Sequence, residues 1–361
     1  MKVILKIVTV IVGIIIVAGV IFYMMSKPMY KPGMVRAEYS FALPVQKALR
    51  DNYLRVENDI ELYYFSDGEG ENIVVIHGGP GYPFDKPYEG LKLLNKNYKF
   101  IYYHQRGCGK STRPFDTFVS KNYYQNLKSL TGKLGLGAQI ADIERIRLIL
   151  RQDRITIIGH SYGAFIASMY AAEFPEKVKS LILISPANVF KMPPDDGGLF
   201  DWVGELLPED MKQDYDSYLK WYFDYKDIFK KSEAELASIN SEFIKYYSIA
   251  AGKRGMTISK AGTSIKDSGG WMPHAIYLSM GRKYDFRNVL KVINSPVLII
   301  HGDKDLQPVE ASKRYTEYFS NSQFHIIKNV GHFSFNEKPD EFASVVSKFL
   351  KEVKRIEKDA M

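Results

Sequence analysis

The sequence has very little cysteine and no pattern typical of a metal site. Cys108 is the only cysteine in 361 residues, which excludes an intramolecular disulfide and is compatible with either redox compartment. The seven histidines include neither a His-Glu-x-x-His pair nor another metal-ligand spacing. These absences argue against a metallohydrolase, and we expect no metal or other cofactor.

Clustered charge is also missing. The formal net charge is +8, but the basic residues are scattered and no nucleic-acid recognition motif accompanies them. We therefore expect no nucleic-acid partner. The sequence instead contains 46% hydrophobic and 14% aromatic residues, enough to bury a large core in one main domain with an insertion.

A Gly-x-Ser-x-Gly motif lies at 159–163, between an apolar strand pattern over 154–159 and a helix pattern over 162–174. A serine on a tight turn between a strand and a helix is the nucleophile elbow of acyl-transfer hydrolases. The glycines let the helix start close to the strand, so that the hydroxyl projects from the turn. This context predicts that Ser161 is a catalytic nucleophile.

A second glycine-rich turn predicts the oxyanion hole. The apolar strand at 73–76 ends in His-Gly-Gly-Pro-Gly at 77–81, where glycine lets the backbone approach a substrate. The expected donors are the N–H of Tyr162, which follows the nucleophile, and the N–H of Gly79.

The acid and the base are expected downstream, in the order Ser, Asp or Glu, His. The apolar strand Pro296–His301 leads to both Asp303 and Asp305. Asp305 is favoured because it lies beyond the strand end and just before a helix, and Asp303 is the alternative. The loop after a further strand at 323–328 contains His332, the predicted base.

These motifs, together with Gln-Arg-Gly-Cys-Gly-Lys-Ser at 105–111, resemble the proline iminopeptidase group of α/β-hydrolases. The resemblance extends over about residues 50–350. It implies a metal-free aminopeptidase that releases N-terminal proline or another small apolar residue from short peptides. It also implies Ser161, Asp305 and His332 as nucleophile, acid and base.

Two features differ from this group. His104 stands where its members usually have aspartate, and the stretch 269–274, which contains Trp271, has no carboxylate to bind the substrate amine. The carboxylates of the expected lid that could replace it are Glu205, Glu209, Asp214, Asp216 and Glu242. We predict Glu205, Glu209 and Trp271 as substrate-binding residues. The alternative function is a membrane-anchored carboxylesterase of apolar acyl esters.

The alternation of strand and helix patterns predicts a mostly parallel sheet with helices on both faces. With the resemblance, this gives an α/β-hydrolase fold with an eight-stranded sheet. Residues 52–57 and 60–65 predict an antiparallel hairpin. The expected catalytic domain comprises residues 37–186 and 286–361, and a helical, aromatic cap occupies residues 187–285.

The N-terminal region contains nineteen residues without a charge, Ile7–Met25. As a helix this segment would be about 28 Å long, close to the thickness of a membrane's hydrocarbon core. A cleaved signal peptide is the alternative, but no Ala-x-Ala-like site follows. We predict a single-pass anchor over residues 1–25, a linker over 26–36 and a catalytic domain outside the cytoplasm. A chain starting near Lys31 is then expected to be active. The sequence leaves the oligomeric state open.

Overall fold

The computed structural model describes residues 28–46, 51–256, 258 and 267–359. The predicted anchor over residues 1–25 lies outside these ranges. Within them, none of the helices combines the length and the apolar character that crossing a membrane requires.

An eight-stranded sheet forms the centre of the protein. Its strands in chain order are β1 Tyr53–Glu57, β2 Ile60–Asp67, β3 Glu71–Ile76, β4 Tyr98–Tyr103, β5 Ile155–His160, β6 Val178–Ile184, β9 Val297–Gly302 and β10 Ser322–Ile327. In space they are ordered β1-β2-β4-β3-β5-β6-β9-β10. β2 pairs antiparallel with β1 and β4, and the remaining pairs are parallel. The predicted α/β-hydrolase sheet is therefore confirmed, including its N-terminal hairpin.

Helices pack around this sheet and above one of its edges. Those of the main body are α1 Met34–Glu38, α2 Glu89–Lys92, α3 Tyr123–Leu134, α4 Leu136–Ile149, α5 Tyr162–Glu173, α10 Val309–Lys313, α11 Tyr315–Tyr318, α12 Ser334–Glu337 and α13 Pro339–Asp359. Between β6 and β9 the chain forms α6 Leu199–Leu206, α7 Glu209–Tyr222, α8 Glu233–Lys253 and α9 Trp271–Met280. A short ribbon joins the two ends of this segment, because β7 Lys191–Met192 pairs with β8 Tyr284–Asp285.

Apolar side chains fill both faces of the sheet. In β3, Val74 and Ile76 join the core on one face, whereas Ile73 and Val75 join the core on the other. This alternation follows from the two-residue period of a strand. All six residues of β5 are buried, which explains why the strand before the nucleophile motif is a continuous apolar run.

The sequence pattern predicts one helix over 86–95 and a terminal helix over 339–352. In the structure the first is shortened to α2, and the second continues as α13 to Asp359. Neither change moves the loops that follow the strands, so the positions of the predicted site residues are unaffected.

The described part of the segment predicted as a linker, residues 28–36, packs against the main body. We call residues 28–36 the N-terminal arm. Tyr30 and Val35 are 1% and 0% exposed, and Tyr30 Oη donates a hydrogen bond of 2.9 Å to Glu173. Pro28, Pro32 and Gly33 suggested a short linker, but the apolar residues Tyr30 and Val35 are buried in the main body. A chain starting at Lys31 would lose this buried tyrosine.

Candidate active site

The nucleophile motif forms the strained turn that its sequence predicted. Ser161 lies between β5 and α5 with φ 55° and ψ −119°, a conformation that is costly for a residue with a side chain. A Cβ on Gly159 would lie 2.5 Å from the Gly163 carbonyl oxygen, and one on Gly163 would lie 2.4 Å from that of Ile76. Glycine is therefore required at both positions for α5 to start this close to the sheet.

The loop at 77–81 lies directly against this turn. A Cβ on Gly78 would be 2.8 Å from Cβ of Ser161, and Gly79 adopts φ 117°. The Tyr162 N–H belongs to the first turn of α5, where helix amides have no intrahelical acceptor. The two predicted oxyanion donors thus lie on segments that converge on Ser161.

Asp305 and His332 are hydrogen-bonded to each other. Asp305 Oδ2 accepts a bond of 2.7 Å from His332 Nδ1, and Asp305 Oδ1 accepts from the Gln307 N–H at 3.1 Å. Burial raises the pKa of the Asp305 carboxyl, but the imidazole charge and its hydrogen bond outweigh burial and bring this pKa to about 2. The alternative acid, Asp303, accepts instead from the Asn329 N–H at 2.6 Å.

Two further residues hold the loops of this pair, and the sequence alone did not single them out. His160 Nε2 donates to the His332 carbonyl oxygen at 2.9 Å. Gln307 Nε2 donates to the Pro186 carbonyl oxygen at 2.6 Å, and its Oε1 accepts from the Asn188 N–H. Their only sequence signal is their position. His160 lies within the nucleophile motif, and Gln307 follows Asp305 by two positions.

A cavity of about 1070 Å³ brings these groups together. Ser161, Asp305 and His332 line it, as do Gly79 and Tyr162. Eleven aromatic residues contribute to the remaining wall: Tyr82, Tyr123, Phe200, Trp202, Tyr222, Phe223, Tyr225, Phe243, Tyr247, Tyr277 and Tyr284. The arrangement can direct a serine hydroxyl, with a base beside it, at the carbon of one carbonyl group and two amides at its oxygen, next to an apolar surface.

Carboxylates are scarce in this cavity. All 41 Asp and Glu residues of the sequence fall within the described ranges, and only Asp201 and Asp305 line the cavity. Asp305 pairs with His332, whereas Asp201 is exposed and accepts from the Gly198 N–H at 2.8 Å. Arg282 and Lys283 also line the cavity and are exposed.

The predicted substrate-binding residues do not line the cavity. Glu205 is exposed, and Glu209 is 87% exposed and pairs with Lys212 at 2.7 Å, because the charged faces of α6 and α7 point to solvent. Trp271 is fully buried in the cap core, where its Nε1 donates to the Asp116 carbonyl oxygen. The other lid carboxylates considered are also exposed: Asp214, Asp216 and Glu242.

A buried carboxylate that the sequence did not single out joins the cap to the main body. Glu233 is 9% exposed and accepts from the N–H groups of Gly270 and Trp271 at 2.8 and 2.7 Å. It also pairs with Arg113 at 2.7 Å. It therefore caps the N-terminus of α9 and does not reach the cavity. Among the described residues, no group of His, Cys, Asp or Glu is arranged to hold a metal ion.

Comparison with known proteins agrees with this geometry. A family model described as the alpha/beta hydrolase fold matches residues 71–339, and the chain belongs to that family. It is 28% identical to a proline iminopeptidase of Heyndrickxia coagulans over 305 residues, covering 80% of this chain and 93% of that one. A proline iminopeptidase of Saccharolobus solfataricus is 26% identical and covers 84% and 93%.

Solved structures extend the similarity to other hydrolases. An esterase of Exiguobacterium antarcticum matches with a TM-score of 0.53 and 25% identity, covering 81% of this chain and 96% of that chain. An epoxide hydrolase of Bacillus megaterium matches with a TM-score of 0.54 at 20% identity, covering 83% and 99%. The latter similarity is one of fold alone.

Proposed function

We propose that this protein is a serine esterase that hydrolyses esters of apolar acyl groups through Ser161, His332 and Asp305. The supporting observation is the cavity wall, which is aromatic and lacks a free buried carboxylate. An aminopeptidase must bind a charged amine, and such an amine is costly to bury without a charged partner. An ester needs only an apolar surface for its acyl group.

In the proposed mechanism, Ser161 Oγ attacks the ester carbonyl carbon while His332 accepts the hydroxyl proton. Asp305 fixes the imidazole by accepting its Nδ1–H and stabilises the imidazolium that forms. The Gly79 and Tyr162 amides bind the oxyanion, a contribution of about 3–4 kcal/mol for each donor. His332 then protonates the leaving alcohol, and water hydrolyses the acyl-enzyme by the same route.

The first experiment compares ester and amide substrates with the full-length chain. We expect p-nitrophenyl butanoate to be hydrolysed, whereas prolyl- and alanyl-β-naphthylamide give no measurable turnover, because the amine finds no charged partner. Hydrolysis of either naphthylamide would refute the esterase proposal.

The nucleophile is tested by substitution. Ser161→Ala should lower kcat by about 10⁴-fold or more, since the hydroxyl forms the covalent intermediate. Ser168→Ala is the matched control, because this serine lies in α5, the helix that follows Ser161, and its hydroxyl donates to the Ala164 carbonyl oxygen. Near wild-type turnover by Ser161→Ala would refute the nucleophile assignment.

A second candidate function is an aminopeptidase that acts on N-terminal proline or another small apolar residue. The similarity to relatives named proline iminopeptidase favours this function. It is also favoured by Asp201, the cavity carboxylate that is not paired with His332. If an amine binds to Asp201, Asp201→Asn should raise KM for prolyl-β-naphthylamide about tenfold, because one charge-assisted hydrogen bond is lost. An unaltered KM would exclude Asp201 as the amine ligand.

We also propose that Ile7–Met25 anchors the enzyme in a membrane with the catalytic domain outside the cytoplasm. Nineteen uncharged residues would be held by hydrocarbon burial, which salt and alkali do not disrupt. Electrostatic attachment through the +8 charge would be screened within about 8 Å at physiological salt. The full-length chain should therefore remain in the membrane fraction after carbonate washing. Recovery of a soluble chain starting near residue 26 would indicate a cleaved signal instead.

A further inference from the structure

The N-terminal arm forms part of the wall of the active-site cavity. Pro28 and Met29 line the cavity beside Leu278 and Gly281, at the C-terminal end of α9. A Cβ on Gly281 would lie 3.5 Å from Cβ of Pro28, which shows ordinary packing between the two segments. The N-terminal arm, which the sequence predicted to be a linker, thus forms part of the cavity surface.

Buried contacts hold the arm in this position. The Tyr30 N–H donates to the Ser279 carbonyl oxygen at 2.8 Å, and the Tyr30 ring meets Phe286 edge-on at 5.7 Å. Glu173, near the end of α5, accepts from Tyr30 Oη at 2.9 Å and from the Gly33 N–H at 2.7 Å. These bonds tie the arm to α9 and to the helix that starts at the nucleophile.

Helix α9 connects the arm with the oxyanion loop. Just before this helix, the Gly269 N–H donates to the Gly81 carbonyl oxygen at 3.0 Å, and Met272 packs against Gly81. Pro273, Tyr277, Leu278 and Gly281 line the cavity along this helix and its C-terminal cap. Gly281 follows Pro273 by eight positions, which corresponds to a rise of about 12 Å. The cavity therefore has an apolar wall that is longer than a short acyl group.

The covalent chain places an apolar segment close to the far end of this wall. Met25, the last residue of the uncharged stretch, is three residues before Pro28. Three Cα–Cα steps cover at most about 11 Å. Molecules that partition with such an apolar segment into a lipid phase would be concentrated near this end of the cavity.

We propose that the cavity accepts a long apolar chain that extends along α9 from the oxyanion loop to the N-terminal arm, and that the substrates are long-chain acyl esters. This proposal rests on the esterase function proposed above. Met29 is the residue of the arm expected to limit chain length, because its flexible side chain lines the far end of the wall.

The test uses the full-length chain in phosphatidylcholine nanodiscs. We compare kcat/KM for p-nitrophenyl dodecanoate with that for the butanoate ester, and ester partitioning cancels when variants are compared with the wild type. Met29→Trp should lower this ratio about fivefold or more, because it fills the space for the chain end. Met34→Ala, on the same arm but outside the cavity, should leave the ratio within about twofold. A wild-type ratio in Met29→Trp would overturn the proposal.

Met29→Ala supplies a second variant in the opposite direction. Shortening this side chain should shift the preference toward longer esters, so that the hexadecanoate to dodecanoate ratio of kcat/KM rises about twofold or more. A ratio equal to that of the wild type would contradict the role of Met29.

A binding measurement separates failure of this inference from failure of the esterase function. The Ser161→Ala chain in nanodiscs is titrated with 11-(dansylamino)undecanoic acid, with and without Met29→Trp. The arm proposal predicts that Met29→Trp weakens binding about fivefold or more, whether or not the wild type hydrolyses any ester. Unaltered binding would overturn the proposal. If Met29→Trp weakens binding but the wild type hydrolyses no ester, only the esterase function is refuted.

Discussion

The carboxylate in the floor of the cavity is fully hydrogen-bonded, whereas some polar atoms in the roof have no partner among the described residues. The floor consists of Ser161, Asp305 and His332 on loops of the main body, and both carboxylate oxygens of Asp305 accept hydrogen bonds. The roof consists of the cap residues of α6 to α9 that line the cavity. There Tyr247 Oη and Asn240 Oδ1 are buried with no partner in the described part of the chain. A buried polar atom without a partner costs about 1–3 kcal/mol, which a substrate that bonds to it can offset.

The two sides also differ in what holds them in place, strand register in the floor and side-chain packing in the roof. The floor follows adjacent parallel strands, whose register places the loops after β5, β9 and β10 at one edge of the sheet. The roof is held by side-chain packing, such as the Phe200–Phe243 ring contact at 4.9 Å, and by the Glu233 cap. We infer that the floor determines the reaction and the roof determines which substrates react.

The largest effect is expected for Asp305→Asn in the floor. The amide can hold the imidazole in the wrong tautomer, and kcat should fall by about 10⁴-fold for short and long esters alike. Asp303→Asn, on the same loop but bonded to the Asn329 N–H, should change kcat by less than about twofold. A larger loss in Asp303→Asn would reverse the assignment of the acid.

Glu233→Ala tests how the roof is attached. It leaves Arg113 and the Gly270 and Trp271 amides without their carboxylate, so the free energy of unfolding should fall by about 3–5 kcal/mol. Glu235→Ala, which removes the exposed capping-box carboxylate of the same helix, should lower it by much less. Urea unfolding of the three chains measures both losses, and equal losses would show that Glu233 is an ordinary helix cap.

The depressed pKa of Asp305 predicts a pH-dependent contribution to stability. Its pKa falls from 3.8 to about 2 on folding, which corresponds to roughly 2 kcal/mol. The folded state binds the proton less tightly, so this stability is present above about pH 4 and is lost as pH falls toward 2. The difference in unfolding free energy between the wild type and Asp305→Asn should therefore shrink between pH 6 and pH 3. A constant difference would contradict this linkage.

The smallest effect is expected for Tyr247→Phe in the roof. The Tyr247 ring lies 6.4 Å from the His332 ring, and removal of its unpartnered hydroxyl should not lower stability. A substrate that bonds to this hydroxyl should lose about fivefold in kcat/KM, the value of one neutral hydrogen bond. Tyr246→Phe is the control, because Tyr246 directly precedes Tyr247 and is also buried, but it does not line the cavity. Equal effects of the two variants would remove Tyr247 from the substrate site.

The sequence by itself determined the sheet and the order of the chemical groups. Apolar strand patterns are local, and Gly159 and Gly163 have no substitute because a Cβ at either would collide with backbone. Ser161, Asp305 and His332 each follow the end of a strand by only a few residues. Their positions are therefore largely set by the strands that precede them. For this reason the fold class was predictable, as was the meeting of Ser161, Asp305 and His332 in one cavity.

The tertiary structure decided what short-range patterns do not encode. It pairs His332 with Asp305 and not with Asp303, because the two carboxylates leave the loop in different directions. It turns Glu205 and Glu209 toward solvent and buries Trp271, since the side of a helix that faces a cavity depends on how distant helices pack. It also brings Met29 into the cavity wall, because Tyr30 binds Glu173, 143 positions further along the chain. Contacts over such separations arise only when the whole chain is folded.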